Sequence, residues 1–203
     1  MSDDANELSL REQKKAEIRA NVLDIAQRLF HEQGYDATTL EEICSEAMIS
    51  KRTFFRYFQD KESLVFPNRE ERLEMFVAFL EANQNTENPF DTLRDATRFF
   101  ASDYHEKADK LVQQQKLIMS SPTLVARERE IDRDWEREIA NAFAKRSNDP
   151  QAPLWSAVTA GAVMGVVRAT VNYWCANEGR DDLGELGLIA IECLERGFPE
   201  RVL

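Results

Sequence analysis

Glycine and proline are scarce, at seven and six of 203 residues. An all-β sandwich or barrel needs many tight turns, and so few turn-forming residues do not supply them. No stretch shows the sustained alternation of a half-buried strand. Cysteine is limited to Cys44, Cys175 and Cys193, an odd number at wide spacing. That excludes a disulfide-stapled scaffold and the paired-cysteine zinc patterns. All three sit in apolar-periodic contexts and read as small buried side chains, with a thiol sensor as the alternative. Histidine occurs only as His31 and His105, neither with a His or Cys three or four residues on, so no metal site is expected. A Gly-rich phosphate loop is also missing, and carboxylates such as Asp132 and Asp134 lie in a heavily charged segment that reads as a solvated face. Neither catalysis nor a cofactor is expected. The first residues are polar and acidic, without an apolar core segment, so the expected location is the cytoplasm.

What is present is helix-forming. Hydrophobic residues make up 43% of the chain, and long stretches are rich in Ala, Glu, Leu and Arg, which predicts an all-α protein of about nine helices. Residues 1–9 read as a disordered tail. A first helix is expected over Leu10–Gln33, with Ile18, Val22, Ile25, Ala26, Leu29 and Phe30 as its buried stripe and Gly34 as its stop. Asp60 reads as the cap of a helix that Pro67 interrupts. Further helices are expected over Asn68–Asn83, from Asn88-Pro89 to about His105, and over Asp109–Ser120. Three more follow: from Ser121-Pro122 to about Arg146, over Ala152–Asn177, and over Leu183–Arg196. A domain boundary is expected at Pro67, giving units over 10–66 and 67–203.

Formal net charge is −11, which argues against a protein that coats nucleic acid non-specifically but not against a local reader. Between Ile49 and Lys61, Lys51, Arg52, Arg56 and Lys61 stand against Asp60 alone. Arg11, Lys14, Lys15 and Arg19, set against Glu12 and Glu17, form a second basic segment. Affinity for a polyanion would then rest on correct docking of a small basic face and would depend strongly on salt.

That face lies in Thr38–Lys61, TTLEEICSEAMISKRTFFRYFQDK. Thr39 and Glu42 have capping-box spacing, and Leu40, Ile43 and Ala47, with Cys44 beside them, form an apolar stripe. Ala47-Met48-Ile49 is a short connection, and Ser50 caps the next helix. There Phe54 and Phe58 share one face at i, i+4, while Arg52, Thr53 and Arg56 lie opposite and Phe55 and Tyr57 on the flanks. A helix buried on one side and cationic on the other suits a DNA major groove. Lys51, Arg52, Thr53, Phe55, Arg56 and Tyr57 are candidates for base and phosphate contact, with Ser50 at the helix start. Arg52 and Arg56 are long enough to grip guanine, and Thr53 and Phe55 can meet thymine methyls. Tyr57, Lys61 and the amide end at Thr39 suit backbone phosphates.

The ordered series Gly34-Tyr35-Asp36-Ala37-Thr38-Thr39, Ile43, Ile49-Ser50-Lys51-Arg52-Thr53-Phe54-Phe55-Arg56-Tyr57-Phe58 and Asp60-Lys61-Glu62-Ser63-Leu64 resembles the N-terminal domain of the TetR family of bacterial regulators. The likeness covers roughly Lys14 to Val65, and its Arg-Thr-Phe-Phe-Arg-Tyr-Phe wording is similar to a branch common in actinobacteria. Arg52 departs from the Gly of many members, so base preference does not carry over. The resemblance implies a homodimer on a palindromic DNA operator and a small-molecule effector bound in the C-terminal half.

The segment Ala152–Ala176 holds one charge, Arg168. By length it could span a membrane, but a mid-helix arginine is costly in lipid. Ala157, Gly161, Gly165 and Ala169 recur every four residues and leave room for a second backbone. A homodimer follows, with this helix and the last one pairing with their mates as a four-helix bundle. The expected interface is Ala157, Gly161, Met164, Gly165, Arg168, Leu186, Ile189 and Cys193. Phe76, Phe79, Phe99, Phe100, Met119 and Trp135 exceed what a minimal bundle core needs, and some of them should line a cavity for a hydrophobic or amphipathic effector. The reading is a ligand-responsive transcriptional regulator, most simply a repressor. Its rivals are a helical adaptor whose motif does not read DNA, and an enzyme built on a helical bundle.

Overall fold

A computed structural model describes residues 10–83, 88–101, 108–146 and 149–197. The expected tail over residues 1–9, the loop beginning at Gln84 and the helix end at His105 lie outside that range. Every regular element among the described residues is helical. The chain divides into two compact units, residues 1–67 and 68–203.

The first unit opens with α1, Leu10–Gln33. Val22, Ala26 and Phe30 are buried from it, one per helical turn, while Ile18, Ile25 and Leu29 are half-covered. Gly34 ends the helix at φ +85°, a left-handed conformation that a Cβ would strain, and its amide closes on the Phe30 carbonyl at 3.0 Å. Tyr35 then folds back so that its ring meets Phe30 with centroids 5.2 Å apart. Next come α2, Leu40–Glu46, and α3, Lys51–Phe54. Their inward residues Ile43, Cys44, Ala47, Phe54 and Phe58 complete a small core with Leu64 and Val65.

Two sequence expectations for this unit are corrected. The reading helix stops sooner than its periodicity implies. After Phe54 the bonding tightens to i→i+3, with the Arg56 amide on the Thr53 carbonyl at 3.2 Å and that of Tyr57 on Phe54 at 2.8 Å. The Phe54–Phe58 face survives, because the Phe58 amide still reaches the Phe54 carbonyl at 3.0 Å. The helix expected after Asp60 is only a single 3-10 turn over Glu62–Leu64. Asp60 does accept from the Ser63 amide at 2.8 Å. Pro67, however, disfavours helical backbone in the residue before it and offers no amide, so the turn has no room to grow.

The second unit contains α4 (Arg69–Ala82), α5 (Pro89–Ala101), α6 (Ala108–Ser120), α7 (Pro122–Ala144), α8 (Ala152–Ala176) and α9 (Leu183–Arg196). Its core joins Leu80 of α4, Leu93 of α5, Ile139, Ala142 and Phe143 of α7, Ala160, Val163 and Met164 of α8, and Ile191 of α9. Packing of α5 on α9 is close. A Cβ on Gly187 would stand 2.8 Å from the Thr97 methyl, so only glycine fits there without a shift. Asp182 caps α9 by accepting from the Glu185 amide at 2.9 Å. Just before it, Trp174 is buried and its indole N–H donates to the Asp181 carbonyl at 2.8 Å.

Among the described residues α8 is the one helix long and apolar enough to cross a membrane by length and composition. Within its unit it buries Ala152, Ser156, Ala160, Val163, Met164 and Trp174 along one face. The opposite face, including Leu154, Ala157, Val158, Gly161, Ala169 and Tyr173, is exposed.

Candidate nucleic-acid interface

Both helix starts in the motif are fixed by side chains. The Thr39 hydroxyl accepts the Glu42 amide at 3.2 Å, and the Glu42 carboxylate accepts the Thr39 amide at 2.7 Å, a closed capping box. These bonds hold the Glu42 carboxyl below the ordinary carboxylate range. Ser50 accepts the Thr53 amide at 3.0 Å and shares a 2.9 Å bond with the Thr53 hydroxyl. The two helices are also tied by an ion pair between Glu41 and Lys51, which lowers the Glu41 pKa.

With its start capped, α3 has one rotation open to it. Phe54 and Phe58 enter the core, their centroids 5.2 Å apart, and Phe54 is 0% exposed. Lys51, Arg52, Phe55 and Arg56 are exposed as a result, and Thr53 and Tyr57 are half-exposed. Arg56 lies over the Tyr57 ring at 4.8 Å and donates to its hydroxyl at 2.9 Å. From α1, Arg19 donates to the Tyr57 carbonyl at 3.0 Å and stacks over Phe58 at 5.2 Å, which braces the turn after α3. This arrangement brings Ser50, Lys51, Arg52, Thr53, Phe55, Arg56 and Tyr57 together on one short element, with Thr39 at the start of the helix before it.

Lys61 is placed differently. Its ammonium turns into the unit and donates to the carbonyls of Tyr35 and Thr38. The spacing of the sequence treats Met48 as mere connection, yet this residue is 90% exposed and adopts φ +52° in the turn between α2 and α3. The signal was present, since a two-residue reversal between capped helices generally needs one left-handed residue.

In the second unit, five of the six pocket candidates gather between α4, α5 and α7. Phe76 lies 5.4 Å from Trp135 and 5.6 Å from Phe100, and Phe79 lies 5.7 Å from Phe99. Met119 is exposed in the last turn of α6, a helix that packs on α7 and α8. A separate open cavity of about 570 Å³ lies between α5 and α9 and is rimmed by charge, including Asp91, Arg94, Arg98, Glu192 and Glu195. Of the expected interface residues, Ala157, Gly161, Arg168 and Ile189 are exposed, whereas Gly165, Leu186 and Cys193 are half-covered. Met164 is buried in the core of its own unit, and Arg168 is held by Asp132 of α7 at 2.8 Å. Beside that pair the Glu128 carboxyl accepts from Gln115 at 3.2 Å, and burial raises its pKa.

Two capped helices with a common apolar underside and a cationic outer face define a helix-turn-helix DNA-binding protein. Comparison with known families gives the same class. Residues 22–66 match the model of bacterial regulatory proteins of the tetR family, and residues 87–199 match the MftR C-terminal domain. The chain belongs to the TetR family of transcriptional regulators, with an MftR-type C-terminal half.

The chain is 23% identical over 158 residues to the MftR transcriptional regulator of Mycobacterium tuberculosis, covering 78% of this chain and 80% of that one. It is 36% identical over 89 residues to the HTH-type transcriptional regulator TcmR of Streptomyces glaucescens, covering 44% and 39%. Among solved structures, the fatty acid degradation regulator FadR of Bacillus halodurans superposes with a TM-score of 0.61 at 17% identity, over 89% of this chain and 96% of that one. FadR of Bacillus subtilis with stearoyl-CoA gives 0.58 at 17% identity, over 89% and 99%. The SmeT–triclosan complex gives 0.62 at 19% identity, over 92% and 94%. At these identities the structures establish a shared fold.

Proposed function

We propose that this protein is a homodimeric repressor that binds a palindromic operator and leaves it when a hydrophobic or amphipathic effector binds. In this reading residues 10–66 read DNA, residues 67–203 sense and dimerise, and the protein works in the cytoplasm beside its DNA. The observation that carries it is the division of α3 and its following turn: Phe54 and Phe58 are committed to the core, so Arg52 and Arg56 face outward. Arginine at that position can make paired hydrogen bonds to guanine in the major groove, and the neighbouring polar groups can hold phosphates.

Dimerisation is supported by the exposed face of α8, where Leu154, Ala157, Val158, Gly161 and Ala169 leave apolar surface without a cover from their own unit. Two reading helices about 34 Å apart would meet successive major grooves. The aromatic cluster of Phe76, Phe79, Phe99, Phe100 and Trp135 supports an apolar effector. FadR of Bacillus subtilis with stearoyl-CoA and SmeT with triclosan show that this fold accepts such molecules. An effector lowers operator affinity only as far as it prefers a dimer whose reading helices are spaced wrongly for DNA.

A mobility shift with the region upstream of the protein's own gene tests the reading. A complex that weakens with salt is expected. No complex at low salt would favour the rival, a helical adaptor whose motif does not read DNA.

A further inference from the structure

Among the described residues of the first unit, two large apolar side chains stand exposed: Met48 at 90% and Phe55 at 55%. Both border the cationic surface of α3. Phe55 closes that helix, and Met48 comes two residues before Ser50, which caps its start. Phe55 was already expected to meet thymine methyls. Met48 has no role in that expectation.

The turn leaves Met48 no inward direction. Its amide donates to the Ser45 carbonyl at 3.2 Å, and the amide of Ile49 donates to the Cys44 carbonyl at 3.0 Å. Ala47 before it is buried and Ile49 after it is half-covered, so its neighbours take the core side. At φ +52° the backbone is left-handed, where glycine is the unstrained choice. An apolar chain held in water at a strained position gains nothing for the fold. Strain of this kind gathers where a protein meets a ligand. The residues that follow indicate which ligand. Ser50, Lys51 and Arg52 are exposed directly after it, and Arg56 one turn further on. Their charge favours a polyanion over an apolar protein surface. A DNA duplex offers both chemistries, since its phosphates alternate with deoxyribose faces and its major groove carries the C5-methyl groups of thymine.

We propose that Met48 is a DNA-contact residue: its side chain packs on apolar surface of the duplex, a deoxyribose face or a thymine methyl, ahead of the cationic contacts made by α3. This rests on the DNA-binding reading above.

The test uses the full chain and a duplex from the region upstream of the protein's own gene. Met48→Leu keeps an apolar chain, Met48→Gln keeps the length but is polar, and Met48→Gly removes the chain and the strain together. Met48→Leu should bind within about twofold of the unsubstituted protein. The other two should bind about tenfold more weakly. That is about threefold at each of two reading heads, the size expected when about 25 Å² of apolar surface is no longer covered. The slope of log affinity against log salt should not change, because an apolar contact releases no counterions. A duplex with uracil in place of thymine separates the two sources. The penalty of Met48→Gly should vanish there if the partner is a thymine methyl, and persist if it is deoxyribose.

A footprint reads the contact without any substitution. Dilute peroxide converts exposed methionine to its sulfoxide, and Met75 and Met119, exposed at 53% and 63% in the second unit, serve as references. The duplex should slow oxidation of Met48 relative to both. Full affinity in Met48→Gly and Met48→Gln would overturn the proposal, as would oxidation of Met48 at the same rate with and without bound duplex. Either result leaves the DNA reading standing. If the unsubstituted protein binds no duplex at low salt, that reading fails and the role of Met48 with it.

Discussion

The Arg56 guanidinium stacks 4.8 Å above the Tyr57 ring and donates to the hydroxyl of that same ring at 2.9 Å. The stack holds a long cation on the exposed side of the turn and reduces the rotamer freedom it must lose on meeting a base. Arg56→Ala is expected to weaken specific operator binding by about 1–3 kcal/mol. Because Arg56 is exposed, melting should hardly change. Titration of an operator fragment, with a thermal melt alongside, checks both parts. Full affinity would remove Arg56 from the reading face.

Met48 is a test of backbone strain. A side chain at φ +52° sits where only glycine is unstrained, and the cost is about 1 kcal/mol. Nothing in its own unit covers Met48, so removing the side chain forfeits little burial. Met48→Gly should raise stability by about 1 kcal/mol, visible as a rise of about 2–4 °C in the melting midpoint. A fall would mean that the thioether makes a contact worth more than the strain.

The caps of this motif were legible because they are local. Thr39 with Glu42, and Ser50 ahead of its helix, are read from spacing alone, and each makes the bond its spacing implies. The i, i+4 pair Phe54 and Phe58 was legible for the same reason, and it sets the outward direction of Arg52 and Arg56. What escaped was non-local or a contest between signals. Asp60 is a good cap, but Pro67 ended its helix after one turn. Lys61 looked like a surface cation because nothing in its neighbourhood announces that the carbonyls of Tyr35 and Thr38 fold beneath it. In the second unit the surplus of aromatic residues was plain, but which of them meet depends on helix packing. Phe76, Phe79, Phe99, Phe100 and Trp135 come together while Met119 does not.

Two glutamates should respond to pH in opposite ways. The Glu42 pKa is lowered by bonds to the Thr39 amide and hydroxyl. Its contribution is thus present above the ordinary carboxylate pKa and lost as pH falls through the lowered value. Glu42→Ala should melt earlier at about pH 6, and the gap should narrow as pH falls through the lowered value. The Glu128 pKa is raised by burial, so stability is greater below the ordinary value and falls as pH rises through the raised one. Glu128→Gln removes that titration, and its melting temperature should gain on the parent as pH rises from the ordinary carboxylate value through the raised one. Parallel pH curves for parent and variant would count against either assignment.

The proposed dimer face gives a test in which folding and association separate. Gly161 and Gly165 lie on α8 where an added Cβ would meet nothing within 4 Å in the protomer. A side chain at either position therefore has room for its first carbon within its own unit, and at the exposed Gly161 it costs the fold little beyond exposing some apolar surface. It also fills the space that lets a second helix backbone come close. Light scattering should show Gly161→Leu and Gly165→Leu shifted from dimer toward monomer, with helicity unchanged. Operator affinity should fall with dimer content, since one reading head has only half the contacts. Arg168→Ala provides the contrast. Its guanidinium is already held by Asp132 of the same protomer, so losing it should disturb the α7–α8 pair more than the dimer. Glycine variants that remain dimers at full operator affinity would move the interface to another face of the second unit.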